Sequence, residues 1–250
     1  MGIVRNADDF GKSTEINNAI LTCFKDGLID RTTIMVNMPG ADEAAELARE
    51  EGFFDKVGLH LNLTEGEPLT DEIKQNPLFC GPDGRFHALF CQSTKYRLYM
   101  DNLSRKNIYA ELSEQLKKYE EYGFKLMHVD SHHHVHTNLP IYLELKKLVK
   151  ENGIKSVRLS RNLYRGGNPV MRLYKGMYNH SVGKISSTTD FFGSYIDLRN
   201  YGSEDCIKQL TDRKSVEIML HPMYKNGVLT DTDTPMDEIA KMWHSIAKME

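Results

Sequence analysis

Apolar positions along the chain follow two periods in turn, and their order predicts a repeating strand and helix unit. Residues 3–7 (IVRNA) read as a short strand and residues 13–26 as a helix, with Ser13 or Thr14 as its cap and Ile16, Ala19, Ile20 and Cys23 along one face. The pair recurs as a strand at 32–37, broken by Met38-Pro39-Gly40, and an Ala-rich helix at 41–50. A third strand is expected at 57–63 (VGLHLNL). From residue 64 to about 107 the periodicity dissolves among Gly66, Pro68, Pro77, Pro82 and Gly84, and an irregular insertion of that length is expected to cover or shape a site. Helical spacing resumes at 108–122 and stops at Gly123. The apolar run 124–127 then reads as a strand running out into a loop at 128–136. A helix at 140–150, strands at 156–159, 189–192 and 216–220, a helix at 203–212 and a last helix from about 237 complete the pattern, with residues 160–184 ambiguous.

Alternating strands and helices argue for a parallel sheet, and about seven alternations without a linker or repeat favour one domain over 1–250 with a TIM-like (β/α) barrel. In such barrels the chemistry sits at the carboxyl ends of the strands. Asp8 and Asp9 follow the first strand, His60 lies late in the third, Asp130 and His132 end the fourth and His221 ends the last, so all could face one mouth.

The stretch 128–136 (HVDSHHHVH) holds five of the ten histidines and one carboxylate. Neutral imidazole is the commonest protein ligand for a borderline divalent ion, so a metal-dependent enzyme is the first expectation. The plainer readings are a surface accident or a loose metal-scavenging tract for the cluster, a helix-entry turn for Asp8-Asp9 and a satisfied core position for His60. An expression tag is disfavoured because the run is internal and interrupted by Val135. Two His and one Asp can hold a divalent ion with positions left open for water and substrate, while a second Asp could act as general base and a further His as the acid for a departing amine.

Composition narrows the partners. Lys plus Arg number 32 against 35 Asp plus Glu, a net charge of -3, so no broad basic field for nucleic acid is expected. No apolar run reaches the length of a membrane span, and the four cysteines show no CxxC spacing, which points to a soluble cytoplasmic protein with reduced thiols. A homodimer is the expectation from the prevalence of symmetric oligomers.

Four segments in order, NADDFG at 6–11, GLHLNLT at 58–64, HVDSHHHVH at 128–136 and EIMLHP at 217–222, resemble the YdjC-like carbohydrate deacetylases. The resemblance implies a distorted or incomplete barrel of the glycoside hydrolase and deacetylase type, and metal-dependent removal of acetyl groups from N-acetylated sugars such as chitooligosaccharides. Carried over by motif, Asp9, His60 and His132 would bind one divalent ion, with Asp8 as base and His221 as acid. Asp130 could orient a ligand imidazole, His128 would be a supporting or substrate-facing residue, and Arg158 could bind substrate, pair with a catalytic Asp or form a structural salt bridge. Family descriptions often name magnesium, whereas two imidazoles favour zinc, cobalt, nickel or manganese, so the ion's identity stays open. The alternatives are a hydrolase of a non-sugar amide, ester or phosphoester, for which Arg158, Arg161 and Arg165 could clamp phosphate, and a non-catalytic metal or sugar binder. Tyr164, Tyr174 and Tyr178 could stack on sugar rings, although packing explains most such tyrosines.

Overall fold

Seven strands form one parallel sheet: β1 (Ile3–Phe10), β2 (Arg31–Ile34), β3 (Val57–Leu61), β4 (His128–Ser131), β5 (Ser156–Val157), β6 (Phe191–Ser194) and β7 (Val216–Leu220). The structure, a computed structural model, describes residues 2–163 and 168–248. Between the strands lie α1 (Thr14–Lys25), α2 (Ala41–Glu50), α3 (Asp71–Lys74), α4 (Thr94–Leu98), α5 (Asn102–Glu121), α6 (Leu139–Asn152), α7 (Pro169–Val182), α8 (Tyr195–Arg199) and α9 (Glu204–Arg213). A small antiparallel sheet of β8 (Pro222–Lys225), β9 (Val228–Asp231) and β10 (Thr234–Pro235) leads into α10 (Met236–Lys248).

The strand order β5-β4-β3-β2-β1-β7-β6 is curled, and one ion pair proves it. Arg158 follows β5 and Asp8 lies on β1, four strands away; in a flat sheet about 19 Å would separate them, beyond the reach of a side chain. Their charged atoms nevertheless meet at 2.7 Å. The ring comes close to closing where Asn162 and Leu163 donate to the Phe192 carbonyl and Ser156 bridges to Ser187. The molecule is thus a mixed α/β fold built on a curled, incomplete barrel.

Period-two alternation gives the two sheet faces opposite chemistry. Ala7, Leu59, Leu61, Val129, Ile218 and Leu220 enter the main apolar cluster with the surrounding helices. The intervening residues Asn6, Asp8, Thr33, His60, Asp130 and Glu217 turn inward and bond to one another or to Arg158. The barrel interior is therefore ionic where barrels are ordinarily aliphatic. Burial of so many charges is tolerable only because each is paired.

Several boundaries differ from the sequence expectation for identifiable reasons. The apolar run 124–127 forms no strand: Phe124 stacks on Phe54 and Tyr119, Met127 has φ of 52°, and β4 begins at His128. Helix α5 starts six residues earlier than its apolar spacing suggests. Asp101 caps it by accepting from Ser104 N at 2.8 Å, and its first turns bury the polar Ser104 and Asn107, which bond Asn76, while Leu103 is exposed. The insertion is anchored by fully buried Ile73, Phe79 and Phe90 and by Glu111 of α5, which accepts from the backbone of Leu69 and Thr70. The ambiguous stretch contains α7, whose Val170, Leu173 and Met177 face solvent. Tyr164 and Arg165 lie outside the described residues.

Candidate active site

Two backbone irregularities assemble the site. On β1, Ala7 pairs with Thr32 and Phe10 with Ile34, so three steps on β1 oppose two on β2 and one residue bulges. Asp9 takes up the bulge with φ of 71°, a left-handed conformation that aspartate tolerates better than most residues. Strict alternation would send Asp8 and Asp9 to opposite faces; the bulge brings both carboxylates to the same mouth. The pair therefore belongs to the end of β1, where the sequence suggested the turn beyond it. After β4, His133 and His134 are both left-handed, with φ of 53° and 54°, and the consecutive imidazoles fan apart.

Asp9 Oδ1 lies 2.8 Å from His132 Nδ1 and 3.3 Å from His60 Nε2, and no hydrogen bond of good geometry satisfies it. Three donor atoms of the Asp-His-His type that suits a divalent ion thus converge on one point. The opposite nitrogen of each imidazole faces a carboxylate: Asp130 Oδ1 at 2.6 Å from His60 Nδ1, and Glu65 Oε2 at 3.3 Å from His132 Nε2. Lys12 reaches Glu65 at 2.7 Å and Asp9 at 3.8 Å. Burial opposes charge on His60, but Asp130 outweighs it and lifts the imidazole to about 10. Burial would likewise raise Asp9, yet His132 and His60 hold it well below the usual carboxylate range. His132 and then Lys12 bring Glu65 down to about 2 against the smaller pull of burial. The carboxylates and imidazoles thus hold opposite charges against one another at the converging atoms. The other two carboxylate and imidazole groups among the described residues, Asp8-His60-Asp130 and His128-Asp130-Glu217, already contain an arginine.

That arginine is Arg158, 1% exposed, whose Nη atoms grip both oxygens of Asp8 at 2.7 Å while it also contacts Asp130 at 2.6 Å and Glu217 at 2.7 Å. Below it, Arg31 bonds Glu217 at 2.9 Å and His128 Nε2 at 3.1 Å. Arginine only donates, so His128 Nε2 accepts and its Nδ1 carries the proton toward Ser156 Oγ. Burial and Arg31 lower His128 to about 3. Across the mouth His221 Nε2 stands 3.9 Å from Asp8 Oδ2, and the His221 backbone amide donates to Asp231 of β9 at 2.7 Å.

The sequence model of the YdjC-like protein family matches residues 2–245. The chain belongs to the YdjC-like family. A carbohydrate deacetylase of Clostridium beijerinckii is 31% identical over 237 residues, covering 94% of this chain and 86% of that protein. One from Halalkalibacterium halodurans is 28% identical over 252 residues, covering 100% and 97%. Among solved structures, an Enterococcus faecalis V583 protein named for cellobiose-phosphate cleavage superposes with a TM-score of 0.66 at 24% identity, covering 90% of this chain and 82% of its own, a likeness of fold.

In this YdjC-like chain the residues singled out by sequence are brought together in two tiers. Asp8, Asp9, His60, Asp130, His132 and His221 surround the mouth, with Arg158 beneath Asp8. Arg158 is sealed from solvent, which removes it as a substrate contact and leaves the pairing with Asp8. His128 belongs to the ionic floor and does not face the mouth. Tyr178 is buried against Tyr142 and His136 and is closed to a sugar ring. Glu65, Lys12 and Asp231 escaped the sequence reading. Glu65 sits in a turn-rich segment without periodicity and Asp231 at the end of the short β9, although Glu65 directly follows the GLHLNLT segment and Lys12 directly follows NADDFG.

Proposed function

We propose that this protein is a metal-dependent carbohydrate deacetylase that hydrolyses an N-acetyl group of an amino sugar, with chitooligosaccharides as the first substrates to test. The observation that carries the reading is the convergence of Asp9, His60 and His132 with a second, differently held carboxylate, Asp8, beside them. The names of the curated relatives support the reaction class. No helix among the described residues is long and apolar enough to cross a membrane.

Asp9, His60 and His132 would hold the ion, and when bound it supplies Lewis-acid polarisation of the acetyl carbonyl. Asp130 fixes the His60 ring through Nδ1, leaving Nε2 toward Asp9. Asp8 accepts the proton of the attacking water at a carboxylate whose orientation Arg158 and Asn6 set. His221, on the other side of the mouth, hands a proton to the amine nitrogen as the C–N bond breaks, giving acetate and the free amine.

The test is acetate release from diacetylchitobiose by protein stripped of metal and reloaded in turn with zinc, cobalt, nickel, manganese or magnesium. Metal-dependent release is expected, and Asp8→Asn should lower it by about two to four orders of magnitude with metal content retained. His132→Ala should lose both metal and activity. Full activity in Asp8→Asn would leave a metal site without the proposed base and would refute the assignment.

A further inference from the structure

Resting on the deacetylase reading, we propose that Lys12 receives the acyl oxygen of the substrate and that its ammonium stabilises the negative charge gathering there during hydrolysis. A locked turn sets its position. Asp9 and Gly11 are both left-handed, with φ of 71° and 85°, and Lys12 N donates back to the Asp9 carbonyl at 3.1 Å. Gly11 N donates to the buried Asn17 Oδ1 at 2.8 Å. A Cβ on Gly11 would meet Ile34 Cγ1 and the Met35 carbonyl oxygen at 3.1 Å, so the turn is packed as well as bonded. From it the Lys12 side chain reaches Glu65 Oε2 at 2.7 Å and Asp9 Oδ2 at 3.8 Å. The proposed metal donors converge on the other oxygen, Asp9 Oδ1, so Lys12 stands beside the ion's place and not in it.

Neither stability nor metal affinity accounts for a cation at that point. The Lys12 and Glu65 side chains are 30% and 35% exposed, and an ion pair so open to water contributes little to the fold. An ammonium beside the donors repels a divalent ion and so weakens its binding. The same two side chains form the solvent-facing lip over the buried His60 and His132, where a substrate must pass. Among the described residues no other lysine or arginine comes within ion-pair distance of Asp9, and Arg158 is sealed beneath Asp8. An ammonium has three N–H donors; Glu65 takes one, and Asp9 at 3.8 Å is too far for a hydrogen bond. Glu65 also divides its charge with His132 Nε2 at 3.3 Å, so it does not cancel Lys12 in full. The chemistry needs such a donor. As the water oxygen bonds to the acyl carbon and its proton passes to Asp8, the carbonyl π pair moves onto the acyl oxygen. When the C–N bond breaks, that pair returns to the carbon–oxygen bond and the nitrogen takes a proton from His221. A preorganised cation beside the oxygen lowers the barrier to both steps.

The experiment titrates acetate into cobalt-loaded protein, following the visible cobalt absorption, in wild type, Lys12→Met and Lys12→Arg. Cobalt affinity is read by competition with a chromophoric chelator, and turnover by acetate release from diacetylchitobiose. Lys12→Met should weaken acetate about tenfold and lower kcat about 10–100-fold with KM little changed, the loss of one charged hydrogen bond that strengthens in the transition state. Its cobalt affinity should hold or rise, and Lys12→Arg should recover most of the acetate affinity and turnover. Acetate affinity or kcat unchanged in Lys12→Met would overturn the assignment, as would a wild type that binds no acetate. A tenfold or larger fall in cobalt affinity would also overturn it and make Lys12 a support for the metal through Glu65. Lys12-dependent acetate binding in a protein that releases no acetate from the sugar would keep the acyl-oxygen site and sink the deacetylase reading. Acetate release indifferent to Lys12 would do the reverse.

Discussion

At the scale of single residues, each proposed imidazole ligand is held from behind by a carboxylate, and the two carboxylates have different sequence visibility. Asp130 stands inside the His-rich stretch that draws attention in the sequence, although the ring it holds is His60 of β3, whereas Glu65 comes from the irregular insertion and meets His132 only through the fold. Glu65→Gln keeps the shape and removes the charge shared with Lys12. It should weaken metal affinity by about 10–100-fold, measured by competition with a chromophoric chelator. An unchanged affinity would mean that Lys12 is the group Glu65 serves. The Asp8-Asp9 pair was visible in sequence, but the bulge that separates their roles was not, because a left-handed aspartate leaves no mark on hydrophobic periodicity.

At the scale of elements, six of the seven strands were legible because their outward residues alternate with polar ones or form short β-branched runs, and the errors, among them β4 placed at 124–127 in place of the polar, buried His128–Ser131, lie where polar residues are buried. The first turns of α5 bury Ser104 and Asn107, and β8–β10 carry exposed Tyr224 and Val228, so neither follows the apolar code. Close strand approach gives a sharper test. A Cβ on Gly58 of β3 would lie 2.9 Å from the His128 carbonyl oxygen and 3.0 Å from Thr33 Cγ2, and that oxygen belongs to the neighbouring strand. Gly58→Ala should therefore cost about 1–3 kcal/mol in urea unfolding and weaken metal binding by displacing His60 from Asp130. Gly176→Ala in α7, with open space at its Cβ, is the control and should be neutral or stabilising by about 0.5–1 kcal/mol. Equal behaviour of the two variants would show that β3 and β4 have room to separate.

At the scale of the whole molecule, three imidazoles, His128, His134 and His136, are each lowered to about 3 from 6.5, with burial the largest cause. Between those values the unfolded chain binds protons that the folded chain refuses. Their contribution to stability is complete above pH 6.5 and is lost as pH falls toward 3, at up to about 1.4 kcal/mol per pH unit for each. Urea midpoints at about pH 7.5, 6 and 5 should fall steeply, and His128→Gln should flatten the slope; midpoints indifferent to pH would contradict buried neutral rings. Barrel class could be read from strand count and order, whereas the ionic interior could not, since each charge alone resembles a surface residue. That interior also limits how the sequence can change. Neutralising any one of Asp8, Asp130, Glu217 or Arg158 strands a partner at a cost of about 3–5 kcal/mol, a large share of a typical fold's stability of about 5–15 kcal/mol. Viable variation in the floor must come in compensating pairs. The outer faces of α4 and α7, where Leu98 and Leu173 are exposed, strand no buried charge when replaced, so change can accumulate there across generations while the reacting centre is inherited intact.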